Sequence, residues 1–478
     1  MMAFNSVSFL LFFPIVAILY FGIPRKYRWA FLLAASYYFY MCWKLDYIII
    51  MIASTLVAYG SAILSEKSTR KAVKKIFFLT SVIFNLGLLF VFKYFNFFSE
   101  SLQALFNSIN IVCDIPTFSF LLPLGISFYT FKIISYSVDV YRGTHRAEKH
   151  LGVFALYVAF FPALGAGPIE RTGFIKQIHN PAPFDCQRVT NGLLLMAWGF
   201  FKKTVIADRL LAIVNDVYKS PSELAGLPVV IATLFLAFQI YCDFSGYCDI
   251  AIGASRVLGY RLSNNFNRPF AAKSVSDFWN RWHITLSMWI RDYVFMPIAI
   301  SKKFKGKIGG VIFALIVSFS LVGLWHGAKW TFLFAGMLQG LAIAGGMLTK
   351  TPRKKIQSII TQRVYNFFCL LGTFFFMCFT FIFVFAPDFS AAIDILNGIF
   401  VSGKHKWIEL GINKNDFFIS VMLIVVLEVV QYLQAGKDAS ARFFKQPAAV
   451  RWAAYYLLLL GIIMFGVFTP NKFMYMQF

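Results

Sequence analysis

The stretch VIFALIVSFSLVGLWHGA, residues 311–328, decides how the whole chain is read. From Val311 to Trp325 it holds no ionisable side chain, so it reads as a helix built to lie among lipid tails. It then meets His326, and Gly327 and Ala328 leave the backbone open to close approach. A titratable group within or near membrane depth is costly to keep there and marks a functional site by default. His326 is therefore the first candidate residue; the structural alternative is a packed histidine hydrogen-bonded to a neighbouring helix.

Composition agrees with a lipid-embedded chain. Hydrophobic residues make up 59% of 478 and the mean hydropathy is +0.69, which marks a polytopic membrane protein of all-α class. The net charge of +24 would suit nucleic acid, but the basic residues lie between apolar runs. The clusters are Arg25, Lys26 and Arg28; Lys67, Arg70, Lys71, Lys74 and Lys75; Arg142, Arg146 and Lys149; Lys302, Lys303, Lys305 and Lys307; Lys350, Arg353, Lys354 and Lys355; and Lys437, Arg442, Lys445 and Arg451. That is the positive-inside pattern with an added attraction to anionic lipid, so these loops are expected in the cytoplasm and no nucleic acid is expected as a partner. The seven cysteines have no regular spacing and mostly fall in apolar runs, which argues against a disulfide framework or a zinc site; no metal is expected.

Hydropathy along the chain gives twelve expected crossings and two re-entrant pieces, with both termini outside. The crossings fall near residues 1–28, 29–43, 47–64, 76–98, 121–140, 191–214, 227–252, the run ending at His326, 330–348, 365–386, 416–434 and 452–469. The run 151–169 is expected to re-enter, because Pro162, Gly165, Gly167 and Pro168 break it and broken backbone at membrane depth must be buried in protein or line a cavity. The segment 191–214, interrupted by Lys202, Lys203, Asp208 and Arg209, is expected to begin as an interfacial amphipathic helix.

A second histidine lies in SVSDFWNRWHITLSMWIRDY, residues 274–293. Ser274 followed by Asp277 is a capping-box-like start and Pro297 a stop, so the stretch reads as one helix. Asp277, Arg281, His283, Arg291 and Asp292 forbid a lipid-facing position, and helical spacing would put Trp279, His283, Leu286 and Ile290 on one face.

Soluble-enzyme motifs are absent: there is no Walker A, no HExxH and no serine elbow. Without an ATPase element the chain must use an activated donor or an ion gradient. An imidazole kept neutral by low-dielectric surroundings can accept a proton. If the donor is an acyl thioester, its thiolate leaving group resembles cysteine, with a pKa of roughly 8.5, and needs little acid help. His326 would then act as general base toward an acceptor hydroxyl, with a covalent acyl intermediate left open.

Several blocks together resemble the membrane-bound O-acyltransferase family, in its bacterial branch that acetylates exported polysaccharides such as alginate. They are Pro123 to Tyr129 (PLGISFY), Ala166 to Ile169 (AGPI), Gln239 to Gly253 (QIYCDFSGYCDIAIG), Asn265 to Phe270 (NFNRPF), the block 277–293 and GLWHGA. The resemblance implies a helical bundle with re-entrant helices around a central tunnel. It implies one membrane-embedded domain, 1–478, with its catalytic core at about 120–345 and additional transmembrane helices at 350–478. It implies that His326 is catalytic and that His283 lines the same tunnel. Trp279, Asn280, Arg281, Trp282, Ser287, Trp325, Gly327 and Asp243 are the candidates for lining the tunnel or holding the donor; against that, tryptophans more often pack or anchor at the interface, and Asp243 and Asp249 more often join helices. It also implies acetyl-CoA as donor substrate on the cytoplasmic side of a bacterial inner membrane. The acceptor side is an exported polysaccharide or a periplasmic acetyltransferase partner of the SGNH type.

Two other functions compete. One is D-alanyl transfer to teichoic acid within the same family, whose proteins are usually shorter than this chain. The other is a proton-coupled transporter or flippase with the histidines as a relay, for which inverted repeats would be needed and none is evident.

Overall fold

The computed structural model describes residues 2–219, 226–401, 414–434, 439–468 and 473–474. Lys437 of the last basic cluster and residue 469 of the last expected crossing lie outside them. Among the described residues all regular structure is helical. Eight helices among the described residues are long and apolar enough to cross a membrane: Leu45–Lys67, Lys71–Ser108, Leu227–Val257, Ile308–His326, Trp330–Leu348, Gln362–Phe385, Lys414–Leu433 and Ala448–Phe465. The chain is thus an all-α integral membrane protein.

These eight match eight of the twelve expected crossings. Three others are short of the roughly 20 residues a span requires: Val7–Gly22 has 16, Arg28–Met41 has 14 and Ile126–Arg142 has 17. The fourth, 191–214, is a continuous helical run with a π-helical stretch at Phe201–Ala207. Its lysines do not face outward. Lys202 and Lys203 are buried, for a reason visible only in the packing described below.

Two compact units make up the chain. The first comprises Met1–Leu193 with Ala251–Ser263. In it the broken run 151–169 forms helix Leu151–Ala159, a break at Phe160 and the short helix Phe161–Leu164, buried in protein from Val153 onward as broken backbone must be. Gly125, which starts helix Ile126–Arg142, has φ +66° and lies so near the Leu164 carbonyl that a Cβ would stand 2.0 Å from its oxygen. Only glycine fits that contact, which ties the PLGISFY block to the residues just before AGPI. Arg28 departs from its expected place in a basic loop. It is buried over the Tyr20 ring and donates to the carbonyls of Phe21, Ile23 and Ala182.

The second unit comprises Leu194–Ile250 with Asn264–Phe478. Gly199 and Gly246 bring two helices together, since a Cβ on either would stand under 3 Å from the other's carbonyl oxygen. That approach sets two lysines against the acidic face of the CDFSGYCDIAIG block. Lys203 Nζ lies 2.7 Å from Asp243 and 2.9 Å from Asp208, while Lys202 Nζ lies 2.8 Å from Asp249 and donates to Ser245. Buried charges are tolerated because each is paired and hydrogen-bonded.

Candidate active site

The hairpin Ile308–His326 and Trp330–Leu348 carries the first histidine. Its helices pack through glycines: a Cβ on Gly323 would meet the Phe332 carbonyl at 2.1 Å, and one on Gly336 would meet that of Phe319 at 2.2 Å. The turn is equally tight, because Gly327 lies against the Phe332 ring where any side chain would collide. His326 is thereby held at the last position of its helix, only partly buried.

It faces a cavity with an empty volume of about 590 Å³, open mouth included. The walls are Ile240, Phe278, Trp279, Trp282, Val322, Gly323, Phe332, Ala335, Gly336, Gln339, Met377, Phe381, Val384 and Met474. An apolar wall with a few placed polar groups is the usual form of a ligand site. Trp279 is fixed by donating its indole N–H to Gln339 Oε1, and Gln339 donates in turn to Thr380 Oγ1 at 3.2 Å.

The block 274–293 is not one helix. It starts as expected, with Ser274 Oγ accepting from the Asp277 N–H at 3.1 Å, but helix Val275–Trp279 ends within two turns. His283 then takes a left-handed conformation, φ +44° and ψ +52°, and a second helix runs Ile284–Ile290. For a non-glycine residue this backbone is strained, and such strain persists only where the surroundings over-determine it. Here the surroundings are the NFNRPF loop. The Asn267 N–H donates to the Arg281 carbonyl at 2.9 Å, the Ile284 N–H donates to the Asn265 carbonyl at 3.0 Å, and Asn265 Oδ1 accepts from both the N–H and the hydroxyl of Thr285. The shared face of Trp279, His283, Leu286 and Ile290 is therefore not formed. The break turns His283 inward instead.

His283 is 0% exposed. Its ring centroid lies 6.2 Å from that of His326, 5.6 Å from Trp325 and 4.7 Å from Phe244, and Nδ1 lies 3.2 Å from Asn265 Oδ1. Burial, and next the nearby His326, push its pKa well below the ordinary 6.5. His283 lies outside the eight spanning helices.

Of the other sequence candidates, Trp279 and Trp282 join His326 on the cavity wall and Trp325 packs against both imidazoles. Gly327 shapes the turn, and Ser287 contacts the Trp282 carbonyl at 3.4 Å. Asn280 is exposed, and Arg281 pairs with Asp277 four residues earlier. Asp243 is off the wall, but its Oδ2 accepts from the Met474 N–H at 2.8 Å, and Met474 is on the wall. Sequence reading gave no role to Asn265, Gln339 or the buried lysines. Gln339, a lone amide in an apolar helix, was the one with a visible signal. Among the described residues no group of three or more His, Cys, Asp or Glu could hold a metal ion.

Comparison with known proteins fits this geometry. A family model for the membrane-bound O-acyltransferases matches residues 144–358, which include both histidines. The probable alginate O-acetylase AlgI of Azotobacter vinelandii is 37% identical over 345 residues, covering 72% of this chain and 68% of the relative. The peptidoglycan O-acetyltransferase of Helicobacter pylori is 29% identical over 428 residues, 84% of this chain and 79% of the relative. The teichoic acid D-alanyltransferase of Streptococcus thermophilus is 29% identical over 231 residues, 46% of this chain and 55% of the relative. The chain spans about two thirds of the length of the alginate relatives it matches. It belongs to the membrane-bound O-acyltransferase family and is an O-acyltransferase.

Proposed function

We propose that this chain transfers an acetyl group from acetyl-CoA, bound on the cytoplasmic side of a bacterial inner membrane, to an acceptor hydroxyl on the far side. His326 takes the hydroxyl proton as the oxygen attacks the thioester carbonyl. The new C–O bond forms, the C–S bond breaks, and the CoA thiolate leaves and takes up the proton that His326 held. The observation that carries this reading is the placement of His326 on an apolar cavity with a second buried imidazole beside it. A centroid separation of 6.2 Å exceeds the roughly 5 Å that a direct ring-to-ring hydrogen bond would need.

The acceptor is an exported polysaccharide or a periplasmic SGNH-type acetyltransferase that passes the group on. The names of the alginate and peptidoglycan relatives support a polysaccharide and an acetyl donor over D-alanyl transfer, because the D-alanyltransferase match covers less of this chain. The cavity continues as a tunnel through the protein in this reading, with Trp279, Trp282 and Trp325 along it and the basic loops at its cytoplasmic end. The test is release of free CoA thiol from acetyl-CoA by the purified protein in lipid vesicles, with and without an acceptor polysaccharide. Acceptor-dependent release supports the reading; transport of an intact solute with no thiol release would replace it.

A further inference from the structure

Asn265 sits where a backbone N–H, a hydroxyl and an imidazole nitrogen converge on its side-chain oxygen. Its Oδ1 lies 3.1 Å from the Thr285 backbone nitrogen, 2.9 Å from the Thr285 hydroxyl and 3.2 Å from His283 Nδ1, while its Nδ2 faces Cys248 Sγ at 3.4 Å. A backbone N–H can only donate, so the amide must present its oxygen to Thr285; the flipped amide would set two donors face to face. The same oxygen faces the imidazole. A neutral histidine carries one N–H and one lone pair, and the nitrogen that meets an acceptor must be the one bearing hydrogen.

We infer that Asn265 is the positioning residue of the site: it fixes His283 in the Nδ1–H tautomer, so that Nε2 holds the lone pair. The backbone of the strained turn thus dictates the protonation pattern of the second imidazole through a single amide. The orientation of that amide is set by Thr285, two residues beyond the histidine, so the turn and the tautomer are fixed together. With Nε2 as acceptor, His283 can take a hydrogen bond from an acceptor hydroxyl that reaches it, which steadies the proton transfer. The opposite tautomer would offer an N–H there and compete with the hydroxyl's own proton. The value of the tautomer for catalysis rests on the acyl-transfer reading above, whereas the tautomer itself does not.

Full-length protein labelled with nitrogen-15 at histidine, studied in lipid at mildly alkaline pH, reads the tautomer directly, with the His283 resonances identified by their loss in His283→Gln. The expected result is Nδ1–H in the unmodified protein and in Asn265→Asp, which keeps an acceptor oxygen, and a mixture in Asn265→Ala. Acyl transfer should fall roughly ten- to a hundredfold in Asn265→Ala, short of the roughly 10²–10⁴-fold that general-base catalysis contributes, and recover in Asn265→Asp. An Nε2–H resonance in the unmodified protein overturns the inference, and so does a tautomer unchanged in Asn265→Ala. If the tautomer is as stated but no acetyl-CoA is consumed, the acyl-transfer reading fails and the positioning role of Asn265 stands.

Discussion

The indole of Trp325 lies against both imidazoles, 5.6 Å from the His283 ring and 5.0 Å from the ring of His326 next to it in sequence. It is buried and fills the corner in which the two histidines meet. Trp325→Ala opens that corner, at a cost of about 3–5 kcal/mol of stability for an aromatic truncated in a packed core, and lets the histidines drift. Acyl transfer should fall by more than tenfold, since misplacement of reacting groups by about 1 Å costs up to roughly 10²-fold. Trp325→Phe keeps a ring and should retain most of the activity. Turnover and thermal melting of the two variants, measured side by side, check this.

The buried His283 makes stability depend on pH with a definite sign. Burial and His326 hold its pKa below 6.5 in the folded state, so as pH falls the unfolded chain takes up a proton that the folded one refuses. Its contribution is full above about 6.5 and is lost below it as pH approaches the folded-state value. Melting temperatures from pH 8 to pH 5 should therefore drop more in the wild type than in His283→Gln, and equal slopes would argue against a neutral buried imidazole.

Lys203 meets two carboxylates, Asp208 and Asp243, and its substitution strands both. Lys203→Met should cost about 3–5 kcal/mol, the usual penalty for breaking a buried pair, and should exceed the loss in Asp243→Asn, where Lys203 keeps Asp208. Expression level and melting temperature of the two single variants test the order.

The helix hairpin that carries His326 depends on absent side chains. Gly323→Ala puts a Cβ 2.1 Å from the Phe332 carbonyl and must push the helices apart, which should cost about 1–3 kcal/mol and displace His326. Gly345→Ala, on the same hairpin where nothing lies within 4 Å, is the control and should be neutral or slightly stabilising. A melting experiment on both separates packing from helix propensity.

His326 stood out in sequence because an ionisable residue at the end of a long apolar run is costly to keep there, whether it serves chemistry or is packed against a neighbouring helix. His283 was legible as a residue but not in its setting. Its helix is broken by Asn265, 18 positions earlier, and periodicity within 274–293 carries no trace of a partner outside it. Lys202 and Lys203 looked like interruptions in a span because Asp249 and Asp243, the carboxylates that meet them from another helix, lie 47 and 40 positions away. Gln339 is polar among apolar neighbours, but the indole it orients is 60 positions distant, so its role was not legible. Local pattern reveals which residues are out of place in lipid; only tertiary structure shows what makes them affordable there.

The most direct measurement is single-turnover acyl transfer from acetyl-CoA by His326→Ala in lipid vesicles, beside wild type and His283→Ala, with melting curves on the same preparations. His326 is partly exposed at a helix end, so its loss should leave the fold intact while transfer drops by about 10²-fold or more, and His283→Ala should be strongly but incompletely impaired. Near-normal transfer by a folded His326→Ala protein would contradict the assignment of that imidazole as the base.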